Sequence, residues 1–150
     1  MADCCTEETS VSKIKLDDEG SERVIVVLNK DRTRHKKIRV DGCLIKQKTA
    51  ADWILTKPQV GHLVVELKGT DVDHAVLQIL ATAKVAAARA ERDEKLGGLI
   101  ACARYPRVDT KIQRGKQKFS DQFGGPLRVV TKDEEFSFEL LVGAEEPKRR

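Results

Sequence analysis

The segment that most constrains this chain is His62-Leu63-Val64-Val65-Glu66-Leu67-Lys68-Gly69, an apolar run that ends in a carboxylate and an ammonium. A stretch so rich in Leu and Val reads as a buried strand. A charge inside such a strand is costly unless it is paired or bound to a metal. Residues two apart in a strand share a face, so Glu66 and Lys68 look out together. Ala50-Ala51-Asp52-Trp53-Ile54-Leu55-Thr56 reads as the neighbouring strand, and pairing would set Asp52 beside Glu66. Two carboxylates and a lysine at one sheet edge offer oxygen ligands to a hard divalent cation.

Asp52 followed by Glu66-x-Lys68 resembles the PD-(D/E)xK nuclease superfamily, and in style its small members of the Holliday junction resolvase kind. The tripeptide alone discriminates nothing, because Asp93-x-Lys95, Asp109-x-Lys111 and Glu146-x-Lys148 also satisfy it. Only Glu66 ends an apolar strand, follows an upstream strand Asp and precedes a long helix. The match runs from about residue 35 to 131. It departs from the family at Ala51, where the eponymous proline would stand. No N-terminal helix is expected to supply the extra glutamate that many resolvases use.

The resemblance implies an α/β (α+β) domain of restriction endonuclease-like fold, a mixed central sheet flanked by helices. It also implies a metal-dependent nuclease, an endo- or exodeoxyribonuclease using Mg²⁺ or Mn²⁺. Asp52 and Glu66 would be the metal ligands, with the Leu67 carbonyl completing the protein's share. Lys68 would activate the attacking water or contact the phosphate. A polar residue on the following helix often faces such a site, which makes Gln78 the better candidate and His74 the weaker. A helical wheel centred near Val76 nevertheless puts both on the polar side with Arg89 and Arg92. Asp41 is ambiguous too, since Asp41-Gly42 is ordinary turn chemistry.

Along the chain, residues 1–20 hold few apolar side chains and are expected to form a flexible acidic tail. Residues 21–143 form one domain, and 144–150 a charged C-terminal tail. A chain of 150 residues suits a single core. Strands are expected at Arg23–Leu28, His35–Ile45, the Asp52 segment, the Glu66 segment, Leu99–Ala103, Leu127–Thr131 and Glu135–Val142. The first four read as an antiparallel meander. Helices are expected from about Asp71 to Lys95, closed by Gly97-Gly98, and from Asp109 or Thr110 to Phe123. Trp53, facing opposite to Asp52, belongs to the core, and His35 and His62 read as structural or exposed. Cys43 and Cys102 read as small buried hydrophobes, and the spacing of the four cysteines suggests no zinc or iron–sulfur site.

Charge is uneven. The first 22 residues carry a net −5, leaving +9 on the remainder of a chain whose total is +4. Arg104, Arg107, Lys111, Arg114, Lys116 and Lys118 form a dense basic stretch that reads either as a phosphate-contacting surface or as a solvated helix face. DNA is the favoured ligand, with RNA, a partner protein or a second copy left open. No segment has the length and apolarity of a membrane span or a signal peptide, so a cytoplasmic location is expected. The competing reading is a catalytically silent nuclease-fold module that binds nucleic acid or a partner protein.

Overall fold

A computed structural model describes residues 4–18, 23–67, 71–102, 110–131 and 134–144. The frame is a six-stranded mixed sheet in the order β1 (Thr6–Thr9), β4 (His35–Arg39), β5 (Trp53–Lys57), β6 (Gly61–Leu67), β7 (Lys95–Ala101), β8 (Leu127–Val130). Strands β4, β5 and β6 form an antiparallel meander, but the first strand expected in it, β3 (Ile25–Leu28), belongs to a separate sheet. From β6 the chain crosses through α1 (Val72–Arg89) to a parallel β7 (Lys95–Ala101). It then crosses through α2 (Thr110–Phe123) to a parallel β8 (Leu127–Val130). The mixed α/β class is as expected.

Side-chain alternation sorts the core into two layers. Ile54, Val64 and Ile100 point to the face covered by α1 and α2, with Ala75, Ile79, Ala83, Ile112 and Phe119. Trp53, Leu55, Leu63, Val65, Leu67 and Leu99 point to the other face. That second face is covered by a three-stranded sheet, in the order β2 (Lys13–Leu16), β3 (Ile25–Leu28), β9 (Glu135–Ser137), and a short helix, α3 (Phe138–Val142). All seven residues of β6 are buried, which is what a central strand covered on both faces requires. Trp53 thus faces away from Asp52 as expected. Its ring also stacks under Lys37 and Arg39 and donates from Nε1 to the Asp17 carbonyl.

The N-terminal expectation is corrected. Residues Thr6–Thr9 form β1 and Lys13–Leu16 form β2. β1 has no apolar side chain to announce it, but its register sets Glu7 opposite Lys37 and Glu8 opposite Lys36. Opposite charges directly across a ladder stabilise pairing by about 0.2–1 kcal/mol each. β2 does carry a period-two signal, Ile14 and Leu16 buried between exposed Lys13 and Lys15, and it pairs with β3 (Ile25–Leu28).

Three further boundaries differ. β4 ends at Arg39, because Val40–Ile45 closes a tight turn with the Ile45 and Cys43 amides on the Val40 carbonyl. α1 stops at Arg89, and Gly97-Gly98 lies inside β7 instead of ending the helix. The reason is packing: a Cβ on Gly97 would lie 2.1 Å from the Leu141 carbonyl oxygen of α3. The segment Glu135–Val142 is a short strand, β9 (Glu135–Ser137), followed by α3, whose first turn is capped by Ser137. Cys102 is buried, as expected, but Cys43 is disulfide-bonded to Cys5.

Candidate metal centre

The carboxyl ends of β6, β7 and β8 lie at one edge of the sheet, and the N-termini of α1 and α2 return from that edge. In open α/β sheets this is where ligands bind. Asp52, just before β5, and Glu66, near the end of β6, sit at the same edge. Continuing the pairing past Trp53 and Val65 brings the two together. By parity with Ile54 and Val64, both belong to the face covered by α1 and α2. They are 7% and 2% exposed.

Local geometry fixes Asp52 on three sides. Its amide donates to the Val65 carbonyl at 3.1 Å, and its carbonyl accepts from the Val40 amide at 2.9 Å. The Leu67 amide donates to its Oδ2 at 2.8 Å. Burial pushes the Asp52 carboxyl above the usual carboxylate range. The Leu67 amide opposes that rise, Asp18 adds to it, a hydrogen bond with the Glu66 side chain opposes it, and Asp41 adds to it. Two buried carboxylates side by side repel, and a cation between them would relieve that repulsion.

The residues fit a hard divalent ion. Two buried carboxylates occupy neighbouring register positions. Among the described residues, no third carboxylate, imidazole or thiol joins them within 4.8 Å. Mg²⁺ is typically held by one or two carboxylates, with waters and substrate phosphates completing its shell.

Gln78 corrects the helical wheel. It is buried, on the sheet-facing side of α1, and its Nε2 donates to the Ala50 carbonyl at 3.1 Å, two residues before Asp52. Its Oε1 is buried without a hydrogen-bond partner among the described residues. The buried face of α1 is centred nearer Ile79 than Val76, since Ala75, Gln78, Ile79, Thr82, Ala83 and Ala86 are all buried. Val76 instead meets α2, where a Cβ on Gly115 would lie 2.7 Å from its Cγ1. His74 is exposed, as a solvated helix position would be.

Sequence reasoning missed two contributors. Thr82 accepts the Ala51 amide on its Oγ1 at 2.7 Å, tying the segment before Asp52 to α1. Asp18 enters from the end of β2, anchored to Arg39 at 3.4 Å. The alternation in Lys13-Ile14-Lys15-Leu16 was the available signal that Asp18 follows a strand. Leu67 contributes its amide to Asp52, as well as the carbonyl the resemblance would use.

Of the basic stretch, Lys111, Arg114 and Lys118 line one groove of about 270 Å³ between α2 and α1, while Lys116 is half-buried elsewhere on α2. Lys111 lies 3.5 Å from Asp73 in the first turn of α1, which sets the start of the basic helix at the same sheet edge as the carboxylates. Lys68, Arg104 and Arg107 lie outside the described residues. Comparison of the chain with protein-family models, with curated proteins and with solved structures found no match in any of the three. Among the described residues, no helix is long and apolar enough to cross a membrane.

Proposed function

We propose that this chain is a metal-dependent nuclease of the PD-(D/E)xK kind, with a restriction endonuclease-like core, hydrolysing phosphodiester bonds of DNA. The observation that carries the reading is the Asp52–Glu66 pair, two buried carboxylates set side by side by the β5–β6 register, Asp52 just before β5 and Glu66 near the end of β6. The order of strands around the pair supports it: an antiparallel hairpin, a helical crossover, then parallel strands.

Mg²⁺ or Mn²⁺, when bound, supplies Lewis-acid relief of phosphate charge and a more acidic water. Asp52 and Glu66 would hold it, and the Leu67 amide keeps Asp52 oriented. Gln78 Oε1 is an acceptor for a water or a substrate hydroxyl. Lys68, two residues from Glu66, takes the role the resemblance gives it, on the attacking water or the phosphate. Lys111 at that edge, with Arg114 and Lys118 further along α2, would contact the nucleic-acid backbone.

A second reading has its own observation. Leu77 is 58% exposed beside the α1–α2 groove, as a residue that meets a partner would be. A silent module would then bind through that groove. Incubating the protein with single-stranded, duplex and branched DNA and with RNA, with and without Mg²⁺, separates the two. Metal-dependent cleavage of DNA supports the nuclease, and binding without cleavage on any substrate supports the module.

A further inference from the structure

A second cluster of metal-ligating groups stands apart from the carboxylates. The Sγ atoms of Cys4, Cys5 and Cys43 all lie within 4.8 Å of one another. Cys5 and Cys43 form a disulfide that spans 38 residues, whereas Cys4 is exposed and free. We propose that, once this disulfide is reduced, the three cysteines bind a soft divalent cation such as Zn²⁺ through three thiolates.

Size and preorganisation both support the site. A Zn–S bond of about 2.3 Å puts neighbouring sulfurs of one ion about 3.8–4 Å apart. That spacing fits inside the observed cluster once the S–S bond opens.

The ligands do not depend on the disulfide for their positions. Cys5 is joined to β4 by its carbonyl, which accepts the Arg39 amide at 2.9 Å, and β1 then pairs with β4 over four residues. Cys43 sits in a turn closed by its own amide on the Val40 carbonyl at 3.1 Å and by Gly42, at φ +78°, donating to Ile45. Cleaving the sulfur–sulfur bond therefore frees two thiols without releasing either segment. Among the described residues no fourth His, Cys, Asp or Glu joins the three. The remaining coordination position is left to solvent or a small thiol.

The chemistry balances in two steps. A phosphine opens the bond, becoming its oxide while water supplies the oxygen and the two protons that complete the Cys5 and Cys43 thiols. Binding of the cation then releases the three thiol protons to solvent. The disulfide and the loaded site are mutually exclusive, because a cystine sulfur carries no thiolate charge to donate.

Cd²⁺ titration, read by the ultraviolet thiolate-to-metal charge-transfer band, tests this directly. Phosphine-reduced wild type should bind one Cd²⁺ and release three protons. The oxidised protein should show no band. Cys4→Ser replaces an exposed side chain and leaves the disulfide pair intact, so the fold is kept. Losing a first ligand should weaken Cd²⁺ binding by about a hundredfold or more, since even outer-shell losses cost about 10–100-fold. Equal binding by reduced wild type and reduced Cys4→Ser, an oxidised protein that binds as well as the reduced one, or no band in either state would overturn the proposal.

Discussion

The two ends of the β5–β6 hairpin both bury polar side chains, and they solve the problem in opposite ways. At the turn end, Thr56 Oγ1 bonds His62 Nδ1 at 2.8 Å, and His62 Nε2 bonds Glu94 Oε1 at 2.8 Å. Glu94 also accepts the amides of Gln59 at 2.9 Å and Glu91 at 2.7 Å. Its one carboxylate is answered by donors. At the open end, about 13 Å away along the strand, Asp52, which accepts the Leu67 amide, is the register neighbour of a second buried acid, Glu66. Donors around a buried carboxylate are structural chemistry; two buried acids side by side cost stability, which is why the proposed cation belongs at this end.

The difference shows in proton affinity. Burial pushes the Glu94 carboxyl up, but the Glu91 amide, His62 and the Gln59 amide outweigh it and hold it below the usual range. Asp52 moves the other way. Glu94 therefore contributes stability above its unfolded pKa, and that contribution is lost as pH falls through its lower folded value. Asp52 contributes most below its unfolded pKa, and loses that contribution as pH rises through its higher folded value.

The largest expected effect concerns catalysis at the open end. Lys68→Ala should lower metal-dependent cleavage by about a hundredfold or more, the usual cost of one group that stabilises transition-state charge. Metal-induced stabilisation should persist, because lysine is not a ligand. Single-turnover rates and thermal melts of the two proteins check both halves, and a wild type that cuts no nucleic acid would remove the nuclease reading.

Breaking the turn end should cost stability without touching the metal. Glu94→Ala leaves His62 and two amides short of an acceptor, and should destabilise by about 1–3 kcal/mol in urea unfolding. Metal-dependent stabilisation should be unchanged in that variant. If it vanished, the two ends would not be independent.

The opposite sign is expected for Asp52→Asn. The amide still accepts from Leu67 while removing the buried like charge, so the metal-free variant should melt above wild type at neutral pH. The gain should shrink as pH falls towards the acid range, where Asp52 is protonated in the wild type. An Asn variant that is less stable at every pH would contradict the account of the pair.

A smaller effect belongs to the basic helix. Replacing Lys111, Arg114, Lys116 and Lys118 with Ala should weaken DNA binding and flatten its salt dependence, since fewer counterions are released. Titrations at two salt concentrations read the slope. An unchanged slope would make these residues a solvated face.

How much of this was legible in the chain depended on whether the signal was local. The β6 strand, the start of the following helix and the Asp52–Glu66 register are written in short apolar runs and one spacing, while the helix ends at Arg89, short of the expected Lys95. Gln78 was legible only through the resemblance, because the helix buries two faces, one on the sheet and one on α2, and a single wheel averages them. β1 was not legible at all: Thr6-Glu7-Glu8-Thr9 becomes a strand only opposite Lys36 and Lys37, thirty residues on. Cys5 and Cys43 look unrelated until that pairing lays them side by side.

The claim that joins these strands is that the acid pair is a cation site, and a thermal melt tests it. Raising Mg²⁺ or Mn²⁺ to a hundred times its dissociation constant should stabilise the wild type by about 2.7 kcal/mol. For a chain of this size each kcal/mol is worth about 2–4 °C. Asp52→Asn, folded and already hotter-melting without metal, should show none of that rise. A wild type whose melting temperature does not move at millimolar metal, or an Asp52→Asn protein that gains as much as wild type, would contradict the account.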